Sequence, residues 1–164
     1  MAEIRALSQQ DDLAVVADVY AASWKQHYMG ILPDTFLQRL TGDRWSAMLH
    51  ADPSASLGLF EDGRVMGTAM TGFSRDEERE DYGEILAIYL RPEAKSRGYG
   101  RLLLEAAMSR LRDEGCENAC LWVMEPNRSS IGFYEHMGFH PSGRTQQEMY
   151  GGRMITLLEY IRKL

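Results

Sequence analysis

Glu84-Ile85-Leu86-Ala87-Ile88-Tyr89-Leu90 runs into Lys95-Ser96-Arg97-Gly98-Tyr99-Gly100-Arg101 and then Leu102-Leu103-Leu104-Glu105-Ala106-Ala107-Met108. This reads as a strand, a glycine turn and a helix. The strand is nearly all apolar, the pattern of one buried on both faces. A glycine turn opening into a helix exposes backbone N–H groups that the helix cannot use. With the partial positive charge of the helix start, those donors make a site for a phosphate or pyrophosphate.

Three phosphate-binding patterns compete for this turn. A P-loop requires Gly-Lys-Ser/Thr, to place a lysine and a magnesium-binding hydroxyl. Gly100 is followed by Arg101 and Leu102, which excludes it. The dinucleotide fingerprint needs a third glycine for close helix–strand packing, and Leu103 stands there. The remaining pattern is Arg/Gln-x-x-Gly-x-Gly/Ala. A second motif lies downstream, Asn127-Arg128-Ser129-Ser130-Ile131-Gly132-Phe133-Tyr134-Glu135-His136-Met137-Gly138-Phe139. In this order the two resemble the GCN5-related N-acetyltransferase family, whose second motif is Asn-x-x-Ala-x-x-x-Tyr-x-x-x-Gly-Phe. Lys95 replaces the usual Arg or Gln, keeping the charge without the planar fork, and Ser130 replaces the small alanine.

The resemblance implies an acyl-CoA N-acyltransferase fold of the α/β (α+β) class. Its mixed sheet is mostly antiparallel with a splayed parallel pair, and helices cover both faces. It implies acetyl-coenzyme A as acyl donor, a primary amine in a small molecule or peptide as acceptor, direct attack in a ternary complex, and no metal. Backbone groups of Ile88, Tyr89 and Leu90 would pair with the pantetheine arm and acetyl carbonyl. Lys95, Ser96, Arg97, Gly98, Tyr99, Gly100 and Arg101 would hold the pyrophosphate, with Asn127 and Ser130 on the pantetheine arm. Asn127 also reads as a helix N-cap. Tyr134 takes the place of the tyrosine that protonates the departing thiolate, a task a phenol suits. Glu84 is the candidate base for the amine proton, and its other reading is a solvated strand-end carboxylate. Glu125 is the second candidate base. Family enzymes acting on ribosomal protein N-termini carry a glutamate five residues before the motif asparagine, where this chain has Trp122. The acceptor pocket falls to the N-terminal third, with Trp24, Tyr28, Ile31, Leu32 and Trp45, and Tyr28 is the first choice to face the acceptor. Two other readings of the same fold are a non-catalytic acyl-coenzyme A sensor and an enzyme using another acyl group.

The remaining sequence fits one domain spanning residues 1–164, with ordinary hydrophobic (45%) and charged (26%) fractions. A net charge of −6 disfavours nucleic acid as partner. Lys95, Arg97 and Arg101 would concentrate positive charge where an anionic cofactor needs it. Cys116 and Cys120 are four apart, which is not a zinc or redox spacing, and reduced thiols in a cytoplasmic protein are expected. No signal peptide or membrane span is read. A homodimer through the strand-rich C-terminus is an expectation of the resemblance and of an exposed strand edge.

Along the chain, a strand is expected at Glu3 to Leu7. A helix capped by Ser8 or Asp11 follows to about Gln26, with Leu13, Val16, Val19, Tyr20 and Trp24 on one face. Short helices are expected at Asp34 to Leu40 and Asp43 to Leu49. Asp62-Gly63 marks a hairpin between strands at Leu57 to Glu61 and Val65 to Phe73. The charge run Ser74 to Asp81 reads as a solvated loop. After a helix at Arg101 to Glu114 come a strand at Ala119 to Met124 and a helix at Ser129 to Met137. Strands at Thr145 to Tyr150 and Met154 to Tyr160 flank Gly151-Gly152.

Overall fold

A computed structural model describes residues 1–164. Its elements run β1 (Ala2–Ala6), α1 (Leu13–His27), α2 (Asp34–Gln38), α3 (Asp43–Ala51), β2 (Ser56–Glu61), β3 (Arg64–Phe73), β4 (Tyr82–Leu90), α4 (Tyr99–Asp113), β5 (Asn118–Met124), α5 (Arg128–His136), β6 (His140–Tyr150) and β7 (Arg153–Lys163). The strands form one sheet in the order β1-β2-β3-β4-β5-β7-β6. Every pair is antiparallel except β4–β5. One face packs against α1, α2 and α3, and the other against α4 and α5. The expected fold class is borne out.

Local chemistry accounts for the elements. In α1, Leu13, Val16, Ala17, Val19, Tyr20, Ala21 and Trp24 are buried, the stripe that helical spacing dictates. Its cap is Asp12, whose carboxylate accepts from the Val15 amide, and neither Ser8 nor Asp11. Asp11 is held elsewhere, by Arg5 at 2.7 Å and the Ser8 amide at 2.8 Å. These hydrogen bonds, led by that of Arg5, lower its carboxyl to about 2. The β2–β3 hairpin turns at Asp62-Gly63, both with positive φ, as a type I′ turn requires.

Three expectations need correction. β4 is not buried on both faces. Met70 of β3 pairs with Ala87 and Thr71 with Ile85, leaving Leu86 as a bulged, exposed residue. The last two strands are longer than expected. His140 and Pro141 already pair with Ile161 and Tyr160, and Gly143, at φ +93°, lies in the irregular stretch before pairing resumes at Thr145. The charge run at Ser74 to Asp81 is not simply solvated. Arg79 turns inward to pair with the buried Glu159 at 2.8 Å, and Asp76 pairs with Arg144.

The parallel pair positions the site. β4 and β5 are joined only at Tyr82–Asn118, Gly83–Ala119 and Glu84–Cys120. Beyond Glu84 the two strands part, while β5 stays paired to β7 as far as Met124. A wedge opens in the middle of the sheet, its apex at Glu84. No helix is long and apolar enough to cross a membrane.

Candidate active site

A cleft of about 500 Å³ fills the wedge. Ile85, Leu86, Ala87, Ile88, Tyr89 and Leu90 form one wall, and Leu121, Trp122 and Val123 the other. From Ile85 onward the edge of β4 that faces β5 has no strand partner. Its main-chain groups are therefore open to an extended ligand, as a sheet edge is to an added strand.

One end of the cleft is lined by Lys95, Ser96, Gly98, Gly100 and Arg101. The amides of Ser96, Arg97, Gly98, Tyr99, Gly100 and Arg101 have no main-chain acceptor, because the first intrahelical bond is from Leu102 to Gly98. Positive φ at Ser96 (61°) and Gly98 (78°) curls these consecutive donors into a concave nest. A Cβ placed on Gly98 would meet nothing within 4 Å, so the cradle is open. Orphaned amides at a helix start beside Lys95 and Arg101 fit the diphosphate of a coenzyme A. The side chains of Arg97 and Tyr99 leave the cleft: both bond Glu61 of β2, and Arg97 also donates to the Tyr99 hydroxyl at 2.9 Å. Only their amides remain on the cleft side.

The α5 wall carries Asn127, Ser129, Ser130, Phe133 and Tyr134. Asn127 caps α5, accepting from the Ser130 amide at 3.3 Å and donating to the Ser130 hydroxyl at 2.9 Å. Tyr134 packs on Phe133 and Phe139 with ring centroids 5.4 and 6.1 Å apart. Burial, and secondarily the Tyr89 phenol, push its hydroxyl above the ordinary tyrosine range, so it carries its proton at neutral pH. Glu84 does not line the cleft but stands at its apex, the last β4 residue paired to β5. Burial raises its carboxyl above the usual range, and nearby Arg75 opposes that rise. Glu125 is exposed beyond the end of β5 and away from the cleft lining.

On the α1 side, Tyr28 lines the cleft and stacks edge-on against Trp24 at 4.9 Å. Burial raises its phenol, and Tyr89 and Tyr134 add to that. Trp24, Leu32 and Trp45 belong to the buried core behind it. Sequence reasoning passed over Ser23, His27 and Leu86 as cleft residues. Ser23 and His27 have a helical spacing of four, but the expected helix stops at about Gln26, one residue short of His27. The Leu86 bulge left no mark in residue type.

Known proteins resemble this chain in sequence and in fold. The model of the acetyltransferase (GNAT) family matches residues 16–139. An uncharacterized N-acetyltransferase of Bacillus subtilis is 35% identical over 134 residues, covering 76% of this chain and 73% of its own. A spermidine N(1)-acetyltransferase of Thermoplasma acidophilum is 27% identical over 141 residues, covering 84% and 87%. The crystal structure of the PaiA N-acetyltransferase of Thermoplasma acidophilum in complex with coenzyme A superposes with a TM-score of 0.73 at 23% identity, over 100% of this chain and 99% of that one. The chain belongs to the acetyltransferase (GNAT) family.

Proposed function

We propose that the protein transfers an acetyl group from acetyl-coenzyme A to a primary amine by direct attack, both substrates being bound together. The observation that carries this reading is the wedge itself. It combines a nest of free amides at its mouth, an unpaired strand edge along its length, a neutral phenol on one wall and a half-buried carboxylate at its apex. Lys95, Arg101 and the amides of Ser96 to Arg101 would hold the diphosphate, and the main chain of Ile88 to Leu90 the pantetheine arm. The bound donor supplies the activated thioester. Main-chain N–H groups on the open edge of β4 would stabilise the charge that develops on its carbonyl oxygen.

Tyr134 would hold the proton that the departing sulfur takes up. Its raised phenol remains protonated until the thiolate forms. Glu84 would accept the proton lost by the amine, directly or through a water, and burial brings its basicity closer to that of an amine acceptor. The acceptor would approach over Tyr28, Tyr89 and Trp122. The relative named for spermidine supports including a polyamine among the acceptors tested. An arylalkylamine should be included because no Asp or Glu lines this cleft.

The test is Tyr134→Phe, followed by thiol release with acetyl-coenzyme A and an amine panel. Turnover should fall roughly 100-fold or more, the scale of a lost general acid. Calorimetric affinity for the cofactor should be unchanged. Unaltered turnover would remove Tyr134 from the reaction. Tight cofactor binding with no amine acetylated by the wild type would favour the sensor reading.

A further inference from the structure

We propose that His27 is a cofactor-recognition residue that takes up a proton from solvent as a diphosphate enters the cleft, and then donates a charged hydrogen bond to it. This rests on the coenzyme A reading above and adds a residue that neither glycine-turn nor asparagine motif contains. His27 closes α1 and lines the cleft together with Lys95, Ser96 and Arg101. Its Nδ1 lies 2.9 Å from the Ser23 carbonyl oxygen and 3.0 Å from the Ser23 hydroxyl, which can accept from Nδ1–H as the carbonyl does. A carbonyl oxygen only accepts, so the neutral ring carries its hydrogen on Nδ1 and leaves a lone pair on Nε2. No protein group bonds Nε2.

The charged groups that line the cleft are one-sided. Lys95 comes from the turn after β4, Arg101 lines the same cleft from α4, and the other titratable lining groups are the phenols of Tyr28, Tyr89 and Tyr134. No carboxylate is among them. Burial holds the imidazole below its ordinary value, the Ser23 carbonyl opposes that, and Lys95 lowers it further. An empty cleft therefore keeps the ring neutral. A diphosphate held at the amides of Ser96 to Arg101 reverses the balance, because a nearby anion favours the imidazolium. A lone pair on Nε2 would repel that anion, whereas Nε2–H would bind it.

The experiment follows the imidazole protons by NMR titration in the wild-type protein and in His27→Gln, which identifies the signal among the four histidines. Each is measured alone, with coenzyme A, and with pantetheine, which lacks the diphosphate. The His27 midpoint should lie below about 6.5 in the free protein and rise by about one unit or more with coenzyme A only. Correspondingly, wild-type affinity for coenzyme A should gain several-fold relative to His27→Gln between pH 8 and 5.5, approaching about tenfold per unit of rise only below the free midpoint. Using His27→Gln as reference cancels the titration of the ligand's own phosphates. Binding of coenzyme A with an unmoved midpoint would overturn this inference and leave the acetyltransferase reading intact. An equal rise with pantetheine would also overturn it, and failure of coenzyme A to bind would overturn both.

Discussion

The two faces of the sheet bury nearly equal cores, 20 residues on the α1 side and 19 on the α4 side, so any difference between them is one of chemistry and not of size. The α4 side is mostly aliphatic, with Leu103, Leu104, Ala107 and Leu111 without exposed surface. The α1 side is built of rings: Tyr20, Trp24, Trp45 and Tyr150, with Tyr28, Tyr89 and Trp122 at its margin. One of these rings, Tyr20, buries a polar atom without a partner, and no member of the α4-side core does. The division matches the proposed chemistry. In that proposal the donor would be gripped by main-chain groups at the start of α4, so side chains behind it need only pack. An acceptor must be read by side chains, and aromatic groups offer both area and donors.

The largest predicted effect is on the aliphatic side. Leu104 has no exposed surface. Leu104→Ala should cost about 2–5 kcal/mol, the usual sum of lost transfer energy and residual cavity. Urea unfolding monitored by circular dichroism would show it. A cost below about 1 kcal/mol would mean that this face collapses readily around a void and lacks the tight packing ascribed to it.

An intermediate effect is predicted where Glu159 ties the β3–β4 connection to the C-terminal strands. Its carboxylate is almost fully buried, accepts from Arg79 at 2.8 Å and from the Ser142 hydroxyl at 2.6 Å, and has Arg144 at 3.6 Å. Burial opposes its ionisation, but the Arg79 and Ser142 hydrogen bonds outweigh that and hold the carboxyl below the usual range. Glu159→Gln keeps the shape and removes the charge, and should cost roughly 1–3 kcal/mol at neutral pH. Because the folded value is depressed, the stabilisation is complete above the unfolded value of about 4.3 and disappears as pH falls through the folded one. Denaturation curves of wild type and variant should therefore begin to converge as pH falls below the unfolded value and meet once it has passed the folded one. A gap that persists there would show that shape, and not charge, makes the connection.

The same contrast explains what the sequence revealed. The donor side was legible because its devices are local: Gly98 and Gly100 open α4, Asp62-Gly63 turns the hairpin, and Asn127 stands at the start of α5. The α1 helix was legible from spacing, but its cap was misplaced by one residue. Adjacent aspartates are equivalent in sequence until Arg5 claims Asp11. The Leu86 bulge, the inward turn of Arg79 toward Glu159, 80 positions away, and the meeting of His27 and Lys95 in one cleft are set by tertiary register. No short-range pattern encodes such contacts. Arg97 and Tyr99 belonged to the turn by sequence, yet Glu61 from the neighbouring hairpin captures their side chains.

The smallest predicted effect bears most directly on the contrast between the faces. Tyr20 is 1% exposed, its ring lies 4.9 Å from that of Tyr89 and 5.4 Å from that of Trp45, and its hydroxyl has no protein partner. Burial raises its phenol well above the ordinary range, which keeps the hydroxyl neutral. A buried hydroxyl without a hydrogen bond costs about 1–3 kcal/mol against an apolar group of the same shape. Tyr20→Phe retains the ring and its packing, so it should leave stability unchanged or raise it by about 1 kcal/mol. Loss of stability would instead mean that an ordered water satisfies this hydroxyl. The aromatic face would then be as fully satisfied as the aliphatic one, and the difference between them would be one of shape alone.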